Sequence, residues 1–427
     1  MSKRVVITGL GIWSCIGNNI QSVKENLEHG YTGIIYDCRR KNKLNSCLCG
    51  NVPTPESSNL VDRHWRIMMS EDSAYAYMAV SQALQHSNLT DEYRNKNGVG
   101  LVWGNDGNSH LAHAHRIMAK ERNSYMLGVY QPIYTSMSKI LLNSIFNLRG
   151  SSFNISAACA SGAHAIGLGY FFIKNNIENV IVAGASMETN SFFAESFDVL
   201  GATSLRNSDP THASRPFDRD RDGMVPSGGA AALVLEEYEH AKARGANIIA
   251  EVCGYGFSSN GIEDISAPSA DAEYIAMKRA LDDAGIKPEE VDYVNAHGTS
   301  TIAGDIEEAK ALTRLFVPSS PSSLSSLSSP SSSSSLSSLS SLSRPFISST
   351  KSMTGHENWM AGASEAVYSI IMMQNNFVAP NINLENVIDE AKYLNIARKT
   401  IYTPINTVLS NSSGMGGTNS ALVFRKI

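Results

Sequence analysis

The stretch Asn154-Ile155-Ser156-Ala157-Ala158-Cys159-Ala160-Ser161-Gly162-Ala163-His164 decides how this chain is read. A short β-like run, Phe153 to Ser156, gives way to small residues, one cysteine and then a long apolar helical run. That run, Ala163 to Ile173, carries no formal charge before Lys174. A helix that is apolar all round belongs in a core. Cys159 therefore stands where a strand turns into the N-terminus of a buried helix. There the first amide N–H groups have no helical partner and the dipole favours an anion. Such a setting lowers the pKa of a thiol and exposes the reactive thiolate. The same residues also fit a packed core cysteine, so the rest of the chain has to separate a nucleophile from a filler.

Bulk composition narrows the classes. The 427 residues are 42% hydrophobic and 18% charged, the balance of a globular protein of two or three core-sized units. A net charge of -5 gives no footprint for nucleic acid. The six cysteines (15, 38, 47, 49, 159 and 253) form no zinc spacing, which points to reduced thiols and a cytoplasmic location. The opening Met1-Ser2-Lys3-Arg4-Val5 lacks the pattern of a signal peptide. No apolar run approaches the roughly 18 residues of a membrane span.

Outward from the cysteine, strands and helices alternate. Val5-Val6-Ile7 followed by Gly9-Leu10-Gly11 reads as a strand entering a glycine turn. It is no dinucleotide fingerprint, because Ser14 stands at the third glycine position. An amphipathic helix from Glu71 to Gln85 and buried strands at Val99–Gly104, Asn179–Gly184 and Ala231–Leu235 follow. His110, His113 and His115 cluster without an adequate acidic or cysteine partner, so a helix surface is preferred to a metal site. Asp218-Arg219-Asp220-Arg221-Asp222-Gly223 mimics an EF-hand start, but Gly229 replaces the closing Glu. A tight turn held by Arg–Asp pairs is expected there. Near residue 250 the pattern restarts: Ile248–Val252 leads into Gly254-Tyr255-Gly256, echoing Gly9-x-Gly11. Apolar strands alternating with helices give an α/β class with buried sheets. Two similar halves, 1–250 and 251–427, are expected. Pro318 to Ser343, almost all Ser with Leu and Pro, reads as a disordered surface insertion.

Three strands in the second half end in polar, glycine-bearing loops: His297-Gly298-Thr299-Ser300-Thr301, Lys351-Ser352-Met353-Thr354-Gly355-His356 and Gly414-Met415-Gly416-Gly417-Thr418-Asn419. Sites in open α/β sheets form beyond the carboxyl ends of strands. One Cys, two His and a glycine turn could thus meet at one edge, the combination thiolate catalysis needs.

With these motifs in order, the chain resembles the β-ketoacyl-[acyl-carrier-protein] synthases of the thiolase superfamily, nearest the elongating condensing enzymes. Val6-Ile7-Thr8-Gly9-Leu10-Gly11, the box from Ser156 to His164, Ser214-Arg215-Pro216-Phe217-Asp218 and the three loops above carry the resemblance. It implies a thiolase-like fold with stacked mixed sheets layered αβαβα. It implies acyl transfer from acyl carrier protein to Cys159, then decarboxylative condensation with malonyl-carrier protein, without cofactor or metal. His297 and His356 would act as Nε2–H donors, and the backbone N–H groups of Cys159 and Met415 as the oxyanion hole. Lys351 would be a supporting charge near His356, paired with Glu308 or Glu365. A homodimer is implied, with a heterodimer open, and neither membrane nor nucleic acid as partner. Docking of the acidic carrier would use basic residues such as Arg63, Arg66, Lys120 and Arg122.

Two departures bear on specificity. Met415 stands where the family has a phenylalanine gate, and Met224 where Phe is usual; Trp359 and Met360 interrupt a run of small residues. An altered pocket and a specialised polyene or polyketide pathway are therefore alternatives to fatty-acid elongation. A chain-length-factor-like subunit would lack the nucleophile, and a degradative thiolase would need a later cysteine, yet none follows Cys253.

Overall fold

The computed structural model describes residues 2–56, 61–66, 68–105, 137–189, 191–262, 264, 266–317 and 345–427. The His110–His115 cluster, Lys120, Arg122 and the serine tract lie outside them. Among the described residues ten strands form one mixed sheet. They are β1 Val5–Trp13, β2 Gly100–Gly104, β3 Ser152–Ile155, β4 Val180–Met187, β5 Gly229–Glu237, β6 Ala250–Ser259, β7 Tyr293–Asn295, β8 Phe346–Ser348, β9 Thr407–Gly414 and β10 Thr418–Arg425.

Their spatial order is β8-β7-β9-β10-β6-β1-β5-β4-β2-β3. Adding five to each strand of the set 1-5-4-2-3 gives the other set. The orientations repeat as well. β1–β5, β5–β4, β6–β10 and β10–β9 are antiparallel, whereas β4–β2, β2–β3, β9–β7 and β7–β8 are parallel. The two five-stranded sets meet where Val5–Ile7 pairs antiparallel with Ala250–Val252. The fold is therefore the expected layered α/β type, with its two sheets also hydrogen-bonded edge to edge.

Five of the described helices carry most of the layers: α1 Glu71–His86, α2 Ser161–Lys174, α3 Ala270–Ala284, α4 Ile302–Phe316 and α5 Ala361–Asn375. Side chains alternate across a strand. On β5, Leu233 and Leu235 face a core shared with α2 and α5, while Ala232 and Val234 face α1. On the other set, Leu409 and Val423 face α3 and α4. Both faces of the central strands are thus buried, which explains their apolar character, whereas β3 at the edge and the outer end of β6 stay partly exposed.

One expectation is corrected here. Gly9-Leu10-Gly11 is no turn, since β1 continues through it to Trp13, with only a register shift between Ile7 and Gly9. The glycines serve close packing: a Cβ at Gly9 would lie 2.2 Å from the Ala83 carbonyl oxygen, and one at Gly11 1.9 Å from that of Ala79. Gly254 and Gly256 do the same on β6, where a Cβ would lie 2.2 and 2.1 Å from the Ala280 and Ala276 oxygens of α3. In the middle layer α2 and α5 touch through a matching pair. A Cβ at Gly162 would come 2.7 Å from the Ala363 nitrogen, and one at Gly362 2.7 Å from the Ala163 nitrogen.

The acidic turn is held as expected. The Asp218 carboxylate accepts from Arg215 Nε at 3.1 Å and from the backbone N–H groups of Asp220, Glu385 and Asn386. These hydrogen bonds outweigh burial and keep its pKa below the usual carboxylate value. No helix among the described residues is long and apolar enough to cross a membrane.

Candidate active site

Cys159 occupies a single 3-10 turn, Ala158–Ala160, between β3 and α2, and is 8% exposed. The turn is strained, for Ala158 adopts φ +47°, a region that a residue with a Cβ enters at a cost. Neighbouring groups hold it there. Ser161 Oγ accepts from the Ala157 N–H at 2.9 Å and donates to the Ala158 carbonyl at 2.7 Å. Thr418 Oγ1 donates to the Ala157 carbonyl at 2.9 Å. The β9–β10 hairpin can approach because Gly414 has no side chain; a Cβ there would lie 2.5 Å from the Ala157 oxygen.

His297 follows β7, and Lys351 and His356 follow β8, so both loops leave the carboxyl ends of parallel strands. His356 Nε2 lies 3.0 Å from Cys159 Sγ. The two imidazoles stand edge to face, with ring centroids 5.3 Å apart. Lys351 is 1% exposed and forms an ion pair with Glu365. Its Nζ is 3.4 Å from His297 Nδ1. An ammonium can only donate, so His297 Nδ1 is the acceptor and the ring proton sits on Nε2. His356 Nδ1 has no hydrogen-bond partner among the described residues.

Electrostatics keep both rings neutral. Burial, then the Lys351 charge and His356, push the His297 pKa well below that of a free imidazole. Burial and Lys351 do the same to His356. Glu365 is raised to about 7 by burial, an effect partly offset by Lys351. The expectation for the lysine is sharpened in two respects. Its carboxylate partner is Glu365, and the histidine it touches is His297 rather than His356. Glu308 instead fixes the histidine loop through the backbone. It accepts the N–H groups of His297 at 2.7 Å and Gly298 at 2.6 Å, and Asn411 Nδ2 at 2.8 Å.

A cavity of about 300 Å³ opens onto Cys159, His297 and His356. Met415, 45% exposed, and Met224 line it, as do Thr299 and Thr301. Trp359 does not belong to this lining. It is 6% exposed within the central core beside α2 and α5, which removes it from the residues expected to shape the pocket. Arg63 is exposed and Arg66 half-buried on a short helix, Arg63–Arg66. No group of three or more His, Cys, Asp or Glu among the described residues is placed to hold a metal ion.

Two acids of the site were not singled out from sequence. Asp305 accepts the N–H of Phe217 at 2.7 Å and of Ser300 at 3.0 Å, two residues in positive-φ conformations, and burial pushes its pKa up to about 7. Glu273 lines the cavity from the first turn of α3. Each reads in sequence as an ordinary acid near a helix N-terminus, where the dipole favours one; nothing local marks them.

Comparison with known proteins identifies the family and the fold. The family model "Beta-ketoacyl synthase, N-terminal domain" matches residues 2–241, and "Beta-ketoacyl synthase, C-terminal domain" matches 249–335 and 331–385. The chain is 38% identical to 3-oxoacyl-[acyl-carrier-protein] synthase 1 of Escherichia coli K12, covering 100% of this chain and 99% of that protein. It is 34% identical to 3-oxoacyl-[acyl-carrier-protein] synthase 2 of Vibrio cholerae, over the full length of both. The crystal structure of a β-ketoacyl synthase from Burkholderia phymatum superposes with a TM-score of 0.88 at 32% identity, covering 100% of both chains. A type II PKS acyl-carrier protein in complex with its ketosynthase bound to the hexaketide gives 0.82 at 28%, again over both whole chains. The chain belongs to the β-ketoacyl synthase family.

Proposed function

We propose that this protein is a 3-oxoacyl-[acyl-carrier-protein] synthase that extends an acyl chain by two carbons, with Cys159 as nucleophile. The observation that carries the reading is His356 Nε2 at 3.0 Å from Cys159 Sγ, with the His297 ring beside it. In the first half-reaction the Cys159 sulfur bonds to the acyl carbon and the bond to the carrier sulfur breaks. The carrier leaves as a thiol, taking up the proton the cysteine lost. In the second, the bond between the malonyl carboxylate and its α-carbon breaks, carbon dioxide leaves, and the electron pair spreads onto the thioester oxygen. Neutral imidazoles presenting Nε2–H suit that developing charge; a protonated pair would also repel the Lys351 ammonium. The α-carbon then attacks the acyl group and Cys159 is released. Backbone N–H groups of Cys159 and Met415 would hold the oxyanion at the acyl carbon.

The partner is acyl carrier protein, loaded with acyl or malonyl groups. A homodimer is the assembly we favour. β3 is the last strand of the sheet order, with Phe153 46% exposed on it and Phe171 50% exposed on α2. An apolar sheet edge of this kind invites pairing with a second copy. Incubation with acyl-carrier proteins of graded length and intact-mass analysis tests the central claim. Acyl mass on Cys159, followed by its discharge and carbon dioxide release with malonyl-carrier protein, is expected. A chain that never acquires the acyl mass would sink the reading.

A further inference from the structure

One acid in the cavity has no part in the steps above. Glu273 is 2% exposed, lines the same cavity as Cys159, His297 and Met415, and lies beside Ser413 at the end of β9. Glu273 Oε2 and Ser413 Oγ make no hydrogen bond of full geometry among the described residues, and the side chains nearest the carboxyl are Ser413 and Asn411, close enough to stabilise it. The groups facing the carboxyl are Glu307 and Glu308 from α4 and Ser413 and Asn411 from β9, with no cation among them. The neighbouring acid, Glu308, already accepts three donors that orient the His297 loop. A buried carboxyl with a hydroxyl beside it, in the wall of the cavity that holds Cys159, can offer a hydrogen-bond partner to a polar ligand atom.

We propose that Glu273 is a substrate-recognition residue of this cavity, donating a hydrogen bond to a carbonyl oxygen carried by the thioester substrate. The inference rests on the acyl-transfer reading and names a chemical feature of its substrate. Burial and the Glu308 charge push the Glu273 carboxyl well above the ordinary range, a shift that favours the protonated acid. A carboxylic acid held neutral is an O–H donor. A carbonyl acceptor has two sources in such a substrate: an amide of the pantetheine arm, or a ketone along the acyl chain. A saturated chain offers no acceptor beyond its thioester. A site with a buried donor discriminates against a ligand that leaves it unpaired.

Three thioesters separate these sources: hexanoyl-pantetheine, 5-oxohexanoyl-pantetheine and the hexanoyl thioester of ethanethiol, which has no amide. Cys159 acylation rates are read by mass spectrometry for the full-length wild type, Glu273→Gln and Glu273→Ala. If the acceptor is an arm amide, Glu273→Ala lowers the pantetheine-to-ethanethiol rate ratio about three- to tenfold. If it is a chain ketone, the oxo-to-saturated ratio falls by a similar factor. Glu273→Gln keeps an N–H donor of the same shape and loses less in either case. Unchanged ratios in Glu273→Ala overturn the proposal, as does an equal loss for all three substrates. Equal ratio losses in the Gln and Ala variants also overturn it. Wild-type protein that takes no acyl group from any of the three defeats the acyl-transfer reading itself, and this inference with it.

Discussion

The two halves of the molecule share a frame and differ in chemistry. Both have the strand order 1-5-4-2-3 counted within the half, and both press a glycine pair on the first strand against an outer helix. The likeness extends to the loops. The turn Ala158–Ala160 precedes α2, and Asn358–Met360 precedes α5. Ala158 has φ +47° and Asn358 φ +49°. Cys159 and Trp359 therefore occupy equivalent positions, as do Gly162 and Gly362. One half places the proposed nucleophile there, and the other a core side chain. The second half instead carries the side chains of the proposed site upstream, Lys351 and His356, together with His297.

Each half also braces the other. The β9–β10 hairpin holds Ala157 beside the cysteine through Thr418. In return, the β4–β5 connection grips the backbone on both sides of the histidine: His356 N–H donates to Val225 O at 2.7 Å, and Ser227 N–H to His356 O at 2.8 Å. A duplicated frame supplies two approximately symmetric loops. Asymmetric residues on those loops, clamped across the middle, make a site that neither half contains alone.

The largest effects should come from breaking this asymmetry. Cys159→Ala is expected to abolish acyl-enzyme formation, read as loss of the acyl mass. Cys159→Gln should also block transfer while keeping malonyl decarboxylation, measured as carbon dioxide release; loss of both would argue against separate roles for cysteine and histidines. His297→Ala or His356→Ala should cut decarboxylation about 10²–10³-fold. The equivalent change to the cysteine's twin, Trp359→Ala, should act on stability, costing about 3–5 kcal/mol in chemical denaturation as a core truncation.

The shared frame predicts matched effects. Gly162→Ala and Gly362→Ala should each destabilise by about 1–3 kcal/mol, because either methyl group meets a backbone nitrogen of the facing helix. A large cost at one and none at the other would show that the helix contact is not shared equally.

The smallest effects are in pH dependence. Both active-site histidines have folded pKa values below the unfolded value of about 6.5. Above that pH both states are neutral; below it the unfolded chain takes up protons first, so their contribution to stability falls as the solution is acidified. The acid limb of decarboxylation by the free enzyme should accordingly lie below pH 6.5, and a pH–rate profile breaking above it would contradict neutral, buried rings. Glu357 works in the opposite direction. Burial raises its pKa to about 8 from an unfolded value near 4.5, so between these values the folded chain keeps a proton the unfolded chain has released, and stability falls as pH rises through that interval. Its share of the slope is at most about 1.4 kcal/mol per pH unit. Glu357→Gln should flatten the dependence seen by urea unfolding between pH 6 and 8.

By itself the sequence determined the local structure and the chemical inventory. Apolar strands buried on both faces leave a readable signature, and the run after Cys159 reads as a core helix, buried along most of its length with Phe171 left exposed. The thiol and two imidazoles announce themselves by residue type and by glycine-rich loops at strand ends. The tertiary structure decided everything that depends on distance between remote segments. Gly9 and Gly11 look like a turn until α1 arrives against them, because close backbone approach and turn geometry both call for a missing Cβ. Glu365, and not Glu308, pairs with Lys351, a choice between two acids that no spacing could make. Trp359 left the pocket for the core, and Glu273 entered the cavity from an otherwise ordinary helix turn. Periodicity records which face of an element is buried, whereas only the assembled chain records which atoms meet there.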